Sequence, residues 1–285
     1  MDVATLPLPE EAQVDALAAW FRRGPVTVLT GAGISTESGI PDYRGPETRR
    51  RARNPIQYRE FLRSPAARRR YWMRSMLGWP RFSRAQPNRG HTALVKLERA
   101  GLVSGILTQN VDGLHGDAGS RELVELHGAL RETLCLACHT VASRAALQHA
   151  LEEQNPEFVA WAAARASELA PDGDADFEEA LVEFRVVDCS CGGPLKPHVV
   201  FFGENVPQAR VSRAFSCLDA GTALLVVGSS LAVYSGLRFV RAASQRGMAV
   251  ALVTLGPTRG DEAANLRIDA GAGATLSSLA ARLSL

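Results

Sequence analysis

The chain has 285 residues, 46% hydrophobic and 22% charged, enough for one large domain plus a smaller one with a sizeable core. A formal net charge of +2 removes any electrostatic case for a nucleic-acid or anionic-membrane partner, and no apolar run is long enough to span a bilayer. Met1 to Glu11 has neither the basic start nor the apolar core of a signal peptide, so a cytoplasmic location is expected.

Glu11 to Arg23 places Val14, Leu17, Ala18 and Phe21 on one helical face, and Gly24-Pro25 stops it. Val26-Thr27-Val28-Leu29 then reads as a buried parallel strand running into Thr30-Gly31-Ala32-Gly33-Ile34-Ser35. A strand, Gly-x-Gly and a helix start hold a dinucleotide pyrophosphate: one glycine for the turn, one for close backbone approach, and free helix N–H groups. Thr36 stands where the third glycine of the dehydrogenase fingerprint would fall. The basic run Arg49-Arg50-Arg51-Ala52-Arg53 stands where a ribose-binding acid is expected. Alone, the glycine pair is also compatible with a plain strand-to-helix turn. Ser35, Asp42, Tyr43 and Arg44 add an acid, an aromatic and a base, which suggests chemistry on the cofactor itself. Residues 44–87, with helical pieces around Gln57–Leu62 and Ala66–Met76, are expected to form a loop and small lobe over the cofactor.

A helix over His91–Ala100 leads to a strand, Val103–Leu107, tipped by Thr108-Gln109-Asn110-Val111-Asp112. Ligands of open parallel sheets bind outside the carboxyl ends of strands, so Gln109, Asn110 and Asp112 are candidate site residues; a self-satisfied Asn/Asp turn is the alternative. A third strand, Leu123–Leu126, delivers His127-Gly128 to the same rim. Cys135, Cys138, Cys189 and Cys191 form two close pairs about fifty residues apart, around helical patterns Ser143–Gln154 and Pro156–Leu169 and an acidic turn at 171–176. They resemble a four-thiolate zinc ribbon of structural type in a reducing compartment; four unrelated buried thiols are the alternative, and Cys217 reads as a core thiol. Leu195 to Glu204 is an extended, apolar return to the main domain. Helix Gln208–Ala220, strand Ala223–Val227 with its tip Gly228-Ser229-Ser230, helix Ser235–Gln245 and strand Ala249–Val253 capped by Thr254-Leu255-Gly256 complete the alternation. The expected fold is α/β, a doubly wound, mostly parallel Rossmann-like sheet with a smaller zinc-ribbon and helical module inserted. Its domains are 1–130 with 194–285, and 131–193.

The motifs at 31–35, 39–44, 108–112, 127–128, 199–204 and 228–231, with the two cysteine pairs, come in the order seen in sirtuins, which the chain resembles from about Thr30 to Leu276. Arg-Tyr-Trp at 70–72, Gly-Trp-Pro at 78–80, Gln-Pro-Asn at 86–88, Ala-Pro-Asp-Gly-Asp at 170–174 and Tyr-Ser-Gly at 234–236 look most like the class II branch, which includes a mitochondrial sirtuin. The resemblance implies an NAD-dependent protein-lysine deacetylase or deacylase that yields nicotinamide, free lysine and O-acyl-ADP-ribose. It assigns His127 as the base. Asn110 and Asp112, with Ile40, Pro41, Asp42 and Val111 beside them, face the nicotinamide, and Gln109 the ribose. Tyr43 is the aromatic lid over the reactive carbon. Gly31, Ala32, Gly33, Ser35, Thr36, Arg44, Gly228, Ser229 and Ser230 serve the phosphates and distal ribose, and Thr254, Leu255, Gly256 and Ala272 the adenosine. Relatives usually carry Asn at the position of Thr254 and commonly Cys at that of Ala272, so weaker NAD binding with intact chemistry is expected.

The same resemblance implies NAD as co-substrate and one structural zinc ion on the four cysteines. An acylated lysine of a protein substrate is expected to enter between the zinc module and the main sheet and pair along Val200, Phe201, Phe202, Gly203 and Glu204. Tyr71 and Arg74 are spaced like a pair in succinyl-preferring relatives but read as a solvated helix face. Protein mono-ADP-ribosylation, removal of long or lipoyl-type acyl groups, and a non-enzymatic NAD-sensing scaffold are the alternative functions. A monomer is compatible with the sequence, which does not otherwise speak to assembly.

Overall fold

Nine strands run through the described residues: β1 (Val26–Thr30), β2 (Val103–Thr108), β3 (Leu123–Glu125), β4 (Gly128–Cys135), β5 (Val141–Ser143), β6 (Leu195–Val199), β7 (Ala223–Val227), β8 (Ala249–Val253) and β9 (Leu266–Ile268). The structure is a computed structural model describing residues 6–42, 56–164 and 184–285. Tyr43, Arg44, the arginine run at 49–53, the acidic turn at 171–176 and the end of the helical pattern that begins at Pro156 lie outside the described residues. The chain divides into two units, the first Met1–Arg51, Ala85–His127 and Val206–Leu285, the second Ala52–Arg84 and Gly128–Asn205.

The first unit holds a six-stranded sheet in the order β3-β2-β1-β7-β8-β9. Every pairing in it is parallel. The chain steps from β1 outward through β2 to β3, then returns to β7 on the other flank of β1 and steps outward again. That reversal makes the carboxyl ends of β1 and β7 the switch point where such sheets bind ligands. The doubly wound α/β sheet read from the sequence is therefore the fold of this unit.

The strands are apolar without alternation because both faces are covered. Val26, Val28, Leu225 and Val227 face helices Glu11–Arg23, Arg89–Arg99 and Ala272–Arg282, through Leu17, Phe21, Leu94, Leu97, Leu276 and Leu279. Leu29, Leu224, Val226 and Leu252 face helices Gln208–Ala220 and Tyr234–Gln245, through Leu218, Phe239 and Val240. Burial stabilises each such side chain by roughly 1.5–3 kcal/mol. Thr27, fully buried in this second layer, donates from Oγ1 to the carbonyl of Cys217 at 3.0 Å, so no orphaned hydroxyl offsets the gain. Cys217 is the core thiol expected, and Gly105 makes room for it: a Cβ there would stand 2.6 Å from its Sγ.

Helix Arg89–Arg99 starts two residues before the expected His91 because Asn88 caps it. Its side chain accepts from Gly90 N at 2.9 Å and His91 N at 3.4 Å, while His91 Nδ1 accepts from Asn88 N at 3.3 Å. This is a capping box with histidine in the place of glutamate. β9 and helix Ala272–Arg282 have no counterpart in the sequence reading; three residues of strand are too few for a period to show.

The second unit is built on an antiparallel sheet, β5-β4-β6, around Trp72, Met73, Met76, Cys135, Leu147, Leu151, Phe158, Phe184 and Leu195. The extended run expected over Leu195–Glu204 is a strand only as far as Val199. Helix Pro65–Arg84 extends well past the expected Met76, through Gly78 and Pro80. Arg144 is 1% exposed, lying over the rings of Trp72 and Trp79 and bonded to Ser75 and Gln148. The solvated face expected for Tyr71 and Arg74 is not found. Both are half-buried, and Tyr71 packs against Phe61, Trp72 and Phe201 with ring centroids 5.1–5.5 Å apart. A helix periodicity shows which residues share a face but not what a neighbouring segment lays on it. Among the described residues no helix is long and apolar enough to cross a membrane.

Candidate active site

Beyond β1 the chain forms two short 3₁₀ turns, Ala32–Ile34 and Thr36–Ser38, instead of the α-helix start expected there. The loop is folded down on the tip of β7. Gly31 N donates to Val227 O at 2.9 Å and Gly33 N to Gly228 O at 2.8 Å. A Cβ on Gly31 would stand 2.7 Å from Ser229 Cβ, and one on Gly33 2.8 Å from Gly228 Cα. Gly228 has φ +63°, and its own Cβ would meet Ile34 N at 2.5 Å. The glycines are thus required by backbone-to-backbone approach of two strand tips at the switch point.

Side chains from the tips of β1 and β2 lock this loop. Asn110, 8% exposed, donates from Nδ2 to Gly31 O and to Ser35 Oγ, both at 3.1 Å. Ser35, fully buried, donates its own hydroxyl hydrogen bond to Asp112 Oδ2 at 2.7 Å, and Asp112 Oδ1 caps Leu114 N at 3.0 Å. Beneath them lies a polar chain that the sequence reading missed: Thr30 Oγ1 to Thr108 Oγ1 at 2.8 Å, and Thr30 Oγ1 to His115 Nε2 at 2.9 Å. The His115 ring packs edge-on to that of His91, centroids 4.8 Å apart. Burial holds both imidazoles neutral, pushing His91 down to about 4 against the pull of Glu37, and His115 well down with help from its neighbour. Ile40 is buried, with its N–H on Ser35 O at 3.3 Å; Pro41 is exposed, and Thr36 Oγ1 donates to Gly33 O at 3.1 Å.

His127 follows β3 at the same rim. Its Nδ1 lies 2.8 Å from the carbonyl oxygen of Gln109, an atom that can only accept, so Nδ1 carries the hydrogen and Nε2 holds the lone pair. Nε2 lies 2.8 Å from Ser235 Oγ. Burial lowers the pKa of the ring and the cation of Arg210 lowers it further, while the bond to Gln109 opposes both. The Gln109 side chain accepts from Ser229 Oγ at 2.6 Å. One connected set therefore runs from Ser229 through Gln109 to His127 and Ser235, beside the set joining Gly31, Ser35, Asn110 and Asp112. Thr254, Leu255 and Gly256 stand apart from both, at the tip of β8: Thr254 N donates to Ile268 O at 3.1 Å and Gly256 N to Asp269 Oδ1 at 3.1 Å. Ala272, also apart, is the first residue of the last helix and is buried.

In the second unit, Val200–Glu204 forms a pinned turn after β6. Glu204 Oε2 accepts from Phe201 N at 2.8 Å and pairs with Lys196 Nζ at 3.0 Å, the lysine being 3% exposed with its ammonium 4.8 Å from the centre of the Phe201 ring. Phe202 O accepts from Tyr58 N at 2.9 Å, Gly203 has φ +79°, and the Phe202 side chain is exposed. At the far end of β4 and β6, the sulfurs of Cys135, Cys138, Cys189 and Cys191 all lie within 4.8 Å of one another. Two of the separations are 3.5 Å (Cys135–Cys191) and 3.7 Å (Cys138–Cys189). Thiolates about 2.3 Å from a tetrahedral zinc ion stand about 3.8 Å apart, so the cluster fits one, and four sulfur donors make it a closed structural site. The tight Cys-x-Cys spacing works because Gly192 turns at φ +81° and Gly193 lets the knuckles close: a Cβ there would meet Cys135 Sγ at 2.8 Å.

The sequence matches the Sir2 family over residues 31–235, more than half of the chain. The chain belongs to the Sir2 family. It is 49% identical to the NAD-dependent protein deacetylase 1 of Streptomyces coelicolor over 99% of this chain and 93% of that protein. With the bovine NAD-dependent protein lipoamidase sirtuin-4, mitochondrial, it shares 47% identity over 87% of this chain and 79% of that one. A solved structure from work on the mechanism and regulation of Sir2 enzymes superposes with a TM-score of 0.72 at 30% identity, covering 96% of this chain and all of that one. A Sir2 structure with a p53 peptide and NAD+ gives a TM-score of 0.68 at 29% identity, covering 95% and 96%.

In this Sir2-family chain the sequence alone brought out the residues whose chemistry is visible in their type: His127, Asn110, Asp112 and the four cysteines. It missed Ser235, His91, His115 and Lys196. Their partners lie 108, 24 and 85 residues away for Ser235, for the two histidine rings and for His115 with Thr30, and no local pattern marks such pairs. Only Lys196 offered a local hint, one of the chain's two lysines and set just before the apolar run Val199–Phe202.

Proposed function

We propose that this Sir2-family chain is an NAD-dependent protein-lysine deacylase, with deacetylation its default activity, yielding nicotinamide, free lysine and O-acyl-ADP-ribose. The observation that carries the reading is the 2.8 Å bond from His127 Nδ1 to the Gln109 carbonyl. It leaves Nε2 as the basic nitrogen on a ring held neutral, which is what a base for a ribose hydroxyl requires. A mere NAD sensor needs no base at the strand rim.

The other assignments are those the family resemblance implies. Asn110 and Asp112, fixed by Ser35, would hold the nicotinamide with Ile40, Pro41, Asp42 and Val111, and Gln109 the ribose beside it. Gly31, Ala32, Gly33, Ser35, Thr36, Arg44, Gly228, Ser229 and Ser230 would serve the phosphates and distal ribose, and Tyr43 would be the aromatic lid over the reactive carbon. Thr254, Leu255, Gly256 and Ala272 would take the adenosine, more loosely than a chain with Asn and Cys at those two ends. Val200–Glu204 would seat an extended acyl-lysine peptide through its backbone. Zinc, when bound by the four thiolates, supplies structure rather than reactivity. A cytoplasmic location agrees with five unpaired thiols, four of them poised to bind metal.

The test is a panel of acetyl-, succinyl-, lipoyl- and long-chain acyl-lysine peptides incubated with NAD and read by mass spectrometry. Peptide-dependent nicotinamide release together with O-acyl-ADP-ribose is expected, and His127→Tyr should keep NAD binding while turnover is lost. Lipoyl-lysine is included because a relative at 47% identity is a lipoamidase. ADP-ribose appearing on protein without deacylated peptide would replace this reading by mono-ADP-ribosylation.

A further inference from the structure

We propose that Ser235 is a positioning residue for His127, its hydroxyl holding Nε2 and presenting the ring until a substrate hydroxyl takes its place. The inference rests on the reading of His127 as the base. It starts from the two ends of one imidazole. Nδ1 is 2.8 Å from Gln109 O, and Nε2 is 2.8 Å from Ser235 Oγ. Since the carbonyl obliges Nδ1 to donate, Nε2 of the neutral ring can only accept, and the serine must be the donor.

The two clamps form one rigid piece. Ser235 sits in the first turn of the twelve-residue helix Tyr234–Gln245, where Gly236 N and Leu237 N both bond to Val233 O at 3.3 Å. Gly236 is pressed so closely on Gln109 that a Cβ there would stand 2.7 Å from its side-chain amide. Ser229 holds that amide from the other side at 2.6 Å. The helix start that carries the serine therefore packs against the residue whose carbonyl holds the opposite nitrogen. This arrangement fixes the plane of the ring as well as its tautomer.

Nε2 has one lone pair, and Ser235 occupies it. A base so held stays neutral and aimed in the absence of substrate, and an incoming hydroxyl takes over the lone pair as the serine swings aside. The groups that act on the ring from the packed elements are the uncharged Gln109 carbonyl after β2, the uncharged Ser235 hydroxyl, and the cation of Arg210 on helix Gln208–Ala220. The Ser235 hydroxyl donates to Nε2 of the neutral ring and, turned about its C–O bond, can accept from the Nε2–H of the charged ring, so its removal changes the balance between the two forms as well as the aim of the ring.

The experiment has two independent readings. In the full-length protein without substrate, ¹⁵N shifts of the His127 ring above its titration report the tautomer; the Nδ1–H form is expected, and an Nε2–H form overturns the proposal without any variant. Ser235→Ala should then move the NMR titration midpoint of His127 by roughly 0.5–1 pH unit, the worth of one hydrogen bond lost by one form of the ring more than by the other. The acid limb of kcat/KM for NAD and an acetyl-lysine peptide should move in the same direction, and Ser235→Thr, which keeps the hydroxyl, should restore both. A serine that merely supports the fold would lower the melting temperature and move neither titration, which overturns the proposal. Movement of the NMR midpoint with an unmoved acid limb would show the bond to be real but His127 not to be the ionising base. The assignment of the base then falls, and the role of Ser235 in turnover with it.

Discussion

The buried ion pair in the second unit allows its two partners to be told apart by what each leaves behind. Lys196 Nζ is 3.0 Å from Glu204 Oε2, with the lysine side chain 3% exposed and the glutamate 20%. The same carboxylate oxygen accepts from Phe201 N at 2.8 Å, so it joins the cation to the turn. Glu204→Ala takes the counter-charge from an ammonium that water scarcely reaches and also strips Phe201 N. Breaking a buried pair from one side costs about 3–5 kcal/mol; partial exposure of the glutamate reduces this to roughly 2–4 kcal/mol. Lys196→Met instead leaves the charge that can turn toward solvent, keeps the apolar contact with Phe201, and should cost roughly 1–2 kcal/mol. The double variant should cost less than the two singles together, because no ammonium is then left buried without its counter-charge. Urea unfolding followed by tryptophan fluorescence is the assay, and three of the four tryptophans, Trp72, Trp79 and Trp161, lie in this unit. Equal losses for the two single variants, or strict additivity in the double, would refute the reasoning. If the turn seats the peptide, the KM for peptide should rise in Glu204→Ala while that for NAD stays put.

Metal analysis should find one zinc per chain, falling to none in Cys135→Ser, with a lower melting temperature for the variant; a second equivalent, or retention in the variant, would count against the closed site. Acid should weaken the fold through His91. Its ring is held at about 4 against an ordinary value of 6.5, so the stability it confers is complete above pH 6.5 and is lost as pH falls through the folded value. That loss amounts to about 3 kcal/mol between neutrality and pH 4. His91→Gln should flatten the fall in urea midpoint over that window, and an unchanged slope would remove His91 as its source.

The legible parts of this chain are those whose cause is local. Val26–Thr30 and Ala223–Val227 are short runs of adjacent buried residues rich in β-branched side chains, as a strand covered on both faces requires. Strand direction then places His127 and Asn110 on one rim without any knowledge of distance. What stayed hidden depends on a second segment. The glycine pair at 31 and 33 reads as a phosphate cradle opening a helix, yet the structure bends it into 3₁₀ turns because the tip of β7 lies against it, and Gly228 is nearly two hundred residues downstream. Tyr71 reads as surface until Phe61 and Phe201 are laid on it.

A different kind of illegibility governs the base. The atom that sets the tautomer of His127 is the main-chain oxygen of residue 109, which any side chain at that position would supply. Sequence identifies Gln109 for its amide, and that amide is engaged elsewhere, with Ser229. Substituting Gln109 should therefore disturb the ribose side of the site and the seat of Gly236 while leaving His127 in its Nδ1–H form. A motif written in side chains thus under-describes this site: it names the imidazole, whereas backbone geometry decides which of its two nitrogens can take a proton.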